Sequence, residues 1–237
     1  MQSTTYTVDA AFLRLMGTSE ECRRQALIDL FARQERSRDK GGSDEKITER
    51  LIKSGLLVSI PVTGLRGNAP HLLSLDVKGK EAYRRIFEQD PLAVYDHYLA
   101  THKSPEQIHL MLQACDVLAE AGFKVDRFPR SEMREDHKVF APDLKACRGN
   151  EELFIEIETD AYKNEPQRDA KWRTIAAGTS GHIYVIAQNA TIASGVRSEI
   201  MQRRYGRPVT VGVTSLLDLL ESIKHGLPLW GELRTVT

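Results

Sequence analysis

The chain has 237 residues, room for one large domain or two small ones. Hydrophobic residues make up 41% and charged residues 28%, as in a soluble globular protein, and no apolar run reaches the ~20 residues that a membrane helix needs. Basic and acidic side chains number 33 each, so bulk charge gives no support to nucleic-acid binding, and any such site has to be a local patch. The N-terminus, MQSTTYTVDA, lacks the basic and apolar stretches of a signal peptide, so a cytoplasmic protein with no membrane partner is expected. Cys22, Cys115 and Cys147 are far apart and form no CxxC pair, which argues against a zinc ribbon or a redox motif.

In chain order, Thr18-Ser19-Glu20-Glu21 reads as a helix start, with Ala26, Leu27, Leu30 and Phe31 at helical spacing and an end near Gln34. A charged stretch from Arg33 to Gly42 reads as a loop. Ser43 is placed to cap a second helix with Ile47, Leu51 and Ile52 on its apolar face and Gly55 as its stop. Residues 56–62 and 71–75 read as a hairpin around a Gly- and Asn-containing turn, and a helix follows Gly79 through Tyr83, Ile86 and Phe87. Asp90 to Lys103 reads as a connector in which Pro91 starts a short helix with Tyr95 and Leu99.

The order helix, helix, hairpin, helix is that of a winged helix-turn-helix. The step from Ser54-Gly55-Leu56-Leu57 through the hairpin into Leu73-Ser74-Leu75-Asp76-Val77-Lys78-Gly79 resembles the wing of bacterial winged-helix proteins. That resemblance implies a DNA-binding domain over 1–90, with Arg33, Arg36, Arg38 and Lys40 as the basic residues that could meet phosphates. A winged helix also serves as a dimerisation module, so a homodimer is a second expected partner beside DNA.

After a connector at 91–103, the segment 104–237 reads as a mixed α/β domain. Ser104-Pro105-Glu106 opens a helix that carries Ile108, Leu112, Cys115 and Leu118 on one face and ends at Gly122. Strands are expected over 123–128, 138–146 and 152–158, with a turn at Arg148-Gly149-Asn150. A helix over 168–178, a strand over 182–187, a helix over 193–205, a strand over 209–213 and a helix over 215–225 follow. Three consecutive strands and then a helix crossing to a parallel strand define a mixed sheet.

The chemistry concentrates on two of those strands. Phe154, Glu156 and Glu158 share one face, while Leu153, Ile155 and Ile157 share the other and read as core. Two acids inside an apolar strand are costly to bury unless they meet a cation. A hairpin turning near Gly149 brings them towards Asp143 and Lys145 on the preceding strand. Mg²⁺ or Mn²⁺ held by such carboxylates makes water nucleophilic at neutral pH and stabilises charge on a phosphate.

Pro142-Asp143, with Glu156-Ile157-Glu158 thirteen positions further on, resembles the PD-(D/E)xK motif of restriction-endonuclease-like nucleases. The resemblance implies an α+β restriction-endonuclease-like core, with Asp143 and Glu156 as metal ligands and the Ile157 carbonyl as a further one. It implies a metal-dependent DNA endonuclease. In this chain Glu158 stands where the motif lysine belongs. Lys171, one helical turn from Arg168, is the substitute from the following helix, and Lys145 is a third cation on the Asp143 face. Glu106 matches the glutamate that family members carry on the first helix.

The stretch from Phe154 to Asn189 is also similar to nuclease-like domains joined to winged helices in bacterial mobile elements, including replication-relaxation proteins. The absent motif lysine keeps a second reading open, a catalytically inactive DNA-binding regulator or replication and transfer factor. No GxSxG, P-loop, HExxH or GxGxxG pattern points elsewhere.

Overall fold

A computed structural model describes residues 4–35, 44–63, 69–102, 104–129, 132–133, 139–161 and 165–237. The chain divides into two compact units, residues 1–109 and 110–237.

The first unit opens with a helix absent from the sequence expectation, α1 (Thr4–Thr18), which buries Phe12, Leu13, Leu15 and Met16. The next helix, α2 (Arg24–Glu35), starts six residues after Thr18, where the sequence had suggested its first residue. The reason lies in Glu21. Its carboxylate accepts from the Cys22 and Arg23 backbone N–H groups at 3.0 and 2.8 Å, which makes a local turn in place of a first helical turn. Helix α3 (Asp44–Lys53) buries Ile47 and Leu51, and Gly55 ends it at φ +70° as expected. The cap expected at Ser43 lies outside the described residues.

Strands β1 (Leu57–Pro61) and β2 (His71–Leu75) pair antiparallel from Leu57↔Leu75 to Pro61↔His71. Arg23 bridges Leu72 on the other side of β2, and the Leu73 N–H donates to the Cys22 carbonyl at 2.7 Å. The core of this unit joins Phe12, Leu27, Phe31, Leu51, Leu57 and Leu73.

Helix α4 (Val77–Phe87) starts before Gly79, capped by Asp76, whose side chain accepts from Val77 N–H at 2.7 Å. Gly79 is therefore inside the helix, and the reason is space. A Cβ there would lie 2.0 Å from the Leu56 carbonyl oxygen. Helix propensity alone favours alanine over glycine by roughly 1 kcal/mol. We expect Gly79→Ala to reverse that sign and lower stability by about 1–3 kcal/mol through overpacking against backbone, read from the urea midpoint. Helix α5 (Val94–His102) begins three residues after Pro91 and fully buries Tyr98, whose hydroxyl donates to the Glu20 carbonyl at 2.9 Å.

The division between units falls within α6 (Pro105–Glu120). The expected cap holds: Gln107 N–H donates to Ser104 Oγ at 3.2 Å. The second unit is a mixed sheet with helices. Its strands are β3 (Lys124–Asp126), β6 (Leu144–Arg148), β7 (Glu151–Glu158), β8 (His182–Ala187), β9 (Val209–Ser215) and β10 (Arg234–Val236), in spatial order β10-β9-β8-β7-β6-β3. The β3–β6, β6–β7 and β9–β10 pairs are antiparallel, whereas β7–β8 and β8–β9 are parallel.

The strand expected over 138–146 is divided. Val139–Phe140 (β5) pairs with Glu132–Met133 (β4) in a separate ladder, and β6 begins only at Leu144. Pro142 stands in the gap and has no N–H to offer a ladder. Helices α7 (Glu165–Gly178) and α8 (Ala190–Met201) each start about three residues earlier than expected, α8 because Asn189 caps it by accepting from Ile192 N–H at 3.0 Å. Helix α9 (Leu216–Lys224) follows as expected, and β10 had no counterpart in the sequence reading. One core joins Trp172, Ile175, Val185, Val196, Ile200 and Val213. Among the described residues, no helix is long and apolar enough to cross a membrane.

Candidate metal and phosphate site

The β6–β7 hairpin sets the site. Gly149 takes φ +59° at its turn, and the register pairs Arg148 with Glu151 and Leu144 with Ile155. Two residues beyond that last pair the ladder has ended, and the Ile157 N–H donates instead to Asp143 Oδ2 at 2.8 Å. Asp143 thus replaces the missing strand partner, which fixes its carboxylate at the end of β7. Glu156 and Glu158 lie beside Val185 and Ala187 of the parallel neighbour and are both buried, 5% and 7% exposed. Alternation puts them on the same face as Phe154 and opposite Ile155 and Ile157, as the sequence predicts.

Helix α7 covers that face and supplies two cations. Lys171 Nζ lies 2.8 Å from Glu156 Oε2 and 2.7 Å from Glu158 Oε1. Arg168 Nη1 donates to Glu158 Oε2 at 3.1 Å. Both oxygens of Glu158 are therefore engaged by cations of the chain, which makes Glu158 a holder of Lys171 and Arg168. Glu156 is different, because its Oε1 is buried with no hydrogen-bond partner among the described residues.

Burial pushes the Glu156 carboxyl up to about 8. Lys171 opposes that rise, and the neighbouring Asp143 and Glu158 add to it. Burial would lower the Lys171 pKa, but Glu156, Glu158 and Asp143 together overcome it and hold the ammonium well above the ordinary lysine value. Between the ordinary carboxyl range near 4.5 and about 8, the folded protein holds a proton on Glu156 that the unfolded chain has released. Stability therefore falls as pH rises through that window and levels off above it. In chelator-treated protein the urea midpoint should drop between pH 5 and pH 8.5, and Glu156→Gln should flatten that slope.

The other candidates are placed elsewhere. Lys145 pairs with Glu152 at 2.8 Å and lies over the Phe154 ring, 5.1 Å from its centroid. Glu106 accepts from Thr63 N–H at 3.0 Å and from the Thr63 hydroxyl, both within residues 1–109. Burial would raise the Glu106 pKa, but those bonds hold it below the usual carboxylate value. Arg33 is exposed in the last turn of α2, whereas Arg36, Arg38 and Lys40 lie outside the described residues.

Sequence reasoning missed Glu199. This α8 carboxylate accepts from Arg168 Nε at 2.6 and 2.8 Å, from Trp172 Nε1 at 2.8 Å and from Arg203 Nη2 at 3.1 Å. A signal was present, because Glu199 falls three residues after Val196 and next to Ile200, on the buried stripe of α8.

Mg²⁺ or Mn²⁺ can be tested against these residues. Among the described residues no three His, Cys, Asp or Glu side chains converge as a ready-made cage. Mg²⁺ does not require one, since one or two carboxylates with waters and substrate phosphate are its usual set. Asp143 beside Glu156, with an oxygen of Glu156 that is buried and unsatisfied among the described residues, has the oxygen donors that such an ion takes, and an ion there would displace the Glu156 proton. Neither a scan against protein-family models nor a search of curated proteins finds a match to this chain.

Proposed function

We propose that the chain is a metal-dependent DNA endonuclease of the PD-(D/E)xK type, in which a winged-helix N-terminal domain guides a nuclease domain to its substrate. The observation that carries this reading is the position of Lys171, within 2.8 Å of Glu156 and 2.7 Å of Glu158. The strand position that carries the motif lysine holds Glu158 here, and an ammonium from α7 reaches the same carboxylates.

Asp143 and Glu156 would hold Mg²⁺ or Mn²⁺, with the Ile157 carbonyl beside them. The ion would supply a nucleophilic water at neutral pH and charge neutralisation on the phosphate. The protein's own residues divide the remaining work. Lys171 donates hydrogen bonds to a non-bridging phosphate oxygen and stabilises the charge that grows there as the water oxygen joins phosphorus and the P–O bond to the leaving sugar oxygen breaks. Glu158, with Arg168 behind it, keeps that ammonium at the site. Asp143 is fixed by the Ile157 N–H.

In the first unit, the order α1, the Arg23 bridge, α2, α3 and the β1–β2 hairpin supports the winged-helix reading. Phosphate contacts there would make binding fall steeply with salt.

The test is cleavage of single-stranded, duplex and branched DNA with Mg²⁺ and Mn²⁺. Wild type is expected to cut at least one form. Asp143→Asn should cut none and lose metal affinity by calorimetry, while keeping its melting temperature, because the amide oxygen still accepts from Ile157 N–H. Equal cutting by Asp143→Asn, or no cutting of any form with either metal, overturns the nuclease reading. Salt-dependent DNA binding without cleavage is the result that the regulator reading requires.

A further inference from the structure

We infer that Glu199 of α8 is a positioning residue of the acidic site, acting through Arg168 on Glu158 and thereby on Lys171. The activity part of this inference rests on the nuclease reading.

The contacts form one line of alternating charge. Glu156 meets Lys171 at 2.8 Å, Lys171 meets Glu158 at 2.7 Å, Glu158 meets Arg168 at 3.1 Å and Arg168 meets Glu199 at 2.6 Å. The line then runs outward through Arg203, 3.1 Å from Glu199, to Asp169, 3.2 Å from Arg203. Its middle members are out of water, with the side chains of Glu158, Arg168 and Glu199 exposed by only 9%, 10% and 7%.

Burying three charges in this way is poor economy for stability alone, because well-packed apolar side chains of similar size do as well or better. What the arrangement provides is direction. The lysine stem is long and flexible, so an ammonium stays where its acceptors are. Glu158 can hold Lys171 only if its own carboxylate cannot swivel, and Arg168 Nη1 pins its second oxygen. Arg168 is in turn fixed by a carboxylate on another helix, which Trp172 Nε1 and Arg203 hold from two further sides. A planar guanidinium bonded to two carboxylates fixes orientation in a way that a single ammonium cannot. Strand β7, helix α7 and helix α8 are thus joined through Arg168 at the point that aims Lys171.

The experiment compares Glu199→Gln and Arg168→Lys with wild type. Arg168→Lys keeps the charge and loses the fork, so it decides the matter where Glu199→Gln folds poorly. Asn189→Ala is the control, since it removes an α8 hydrogen bond, Ile192 N–H to Asn189 Oδ1 at 3.0 Å, at the helix end away from Glu199.

One readout does not need cleavage. The Lys171 ammonium, held by two carboxylates, should give a slowly exchanging ¹H–¹⁵N signal, assigned by its absence in Lys171→Met. Glu199→Gln and Arg168→Lys should broaden or abolish that signal, and Asn189→Ala should keep it. The second readout is kinetic: kcat on DNA should fall about 10–100-fold in both relay variants, as for residues that orient metal-site groups, with KM close to wild type.

A Lys171 signal and kcat unchanged in both relay variants overturn the inference. So does a wild-type signal too fast to see, or an equal loss in Asn189→Ala. If the signal behaves as expected but wild type cuts no DNA, the nuclease reading fails and the positioning role of Glu199 stands.

Discussion

On the nuclease reading proposed above, replacing Lys171 with methionine is expected to lower the DNA cleavage rate about a hundred- to a thousandfold, the usual loss when one preorganised donor is removed from a charged transition state. The side chain keeps its length and its packing against the Trp172 ring, 5.1 Å from Nζ, but loses the ammonium. Two consequences follow at the carboxylates. Glu156 loses the ammonium that lowers its pKa, so its proton is held to still higher pH. Among the described residues, Glu158 keeps Arg168 as its cationic partner. DNA affinity, which that reading assigns to phosphate contacts of the first unit, should change little, so the effect belongs to kcat and not to binding. Single-turnover cleavage measured beside fluorescence anisotropy separates the two. A Lys171→Met protein that cuts within about threefold of wild type would sink the assignment of Lys171 as the phosphate donor. Lys171→Arg is the informative companion, since a guanidinium can span both glutamates but presents its charge in a plane.

The carboxylates of this site were legible in the sequence because their signal is local. Two acids alternating with Leu153, Ile155 and Ile157 can only put both carboxylates on one face, and the Gly149 turn fixes what lies opposite. Lys171 was legible only as one of several cations that could reach these carboxylates. Lys145 looked as well placed, and the register puts it elsewhere. Lys145 stands across from Phe154, two residues short of Glu156, and takes Glu152 at 2.8 Å.

Glu199 was illegible as a partner, because its bond to Arg168 joins residues 31 apart across two helices. The Glu106 expectation rested on position in the chain, whereas its actual partner, Thr63, is 43 residues away. Other misses were short or unmarked. The strand Arg234–Val236 has three residues, too few for a period, and α1 begins at Thr4 without an acidic first turn. The mixed sheet itself followed from strand order for β7, β8 and β9, where the helices between strands carry the chain over to parallel neighbours, but α9 between β9 and β10 does not, since that pair is antiparallel.

The largest stability effect is expected at Trp172. It is fully buried in the core that also holds Ile175, Val185, Val196 and Val213, its Nε1 donates to Glu199, and the Arg168 guanidinium lies 5.2 Å from its ring centroid. Trp172→Ala removes the side chain of the largest fully buried residue and leaves a void that parallel strands and two helices cannot close. The loss should be about 3–5 kcal/mol. That is a large share of the roughly 5–15 kcal/mol typical of a whole domain. Trp172→Phe keeps most of the ring and leaves Glu199 with its arginine partners, so its cost should be nearer 1–2 kcal/mol, the worth of one hydrogen bond to a charged acceptor and a small void. The chain has only two tryptophans, and Trp230 stays behind as a fluorescence probe in the same unit, buried over the Tyr184 ring with centroids 4.8 Å apart. A urea titration followed at Trp230 should show the second unit unfolding early in Trp172→Ala, whereas residues 1–109, whose core is built from Phe12, Phe31 and Leu73, should keep their own transition by circular dichroism. A Trp172→Ala midpoint equal to that of Trp172→Phe would mean that the indole contributes through its single hydrogen bond and not through packing. The same void would loosen the platform on which α7 presents Arg168 and Lys171, so cleavage by Trp172→Ala should fall below that of Trp172→Phe even at temperatures where both are folded.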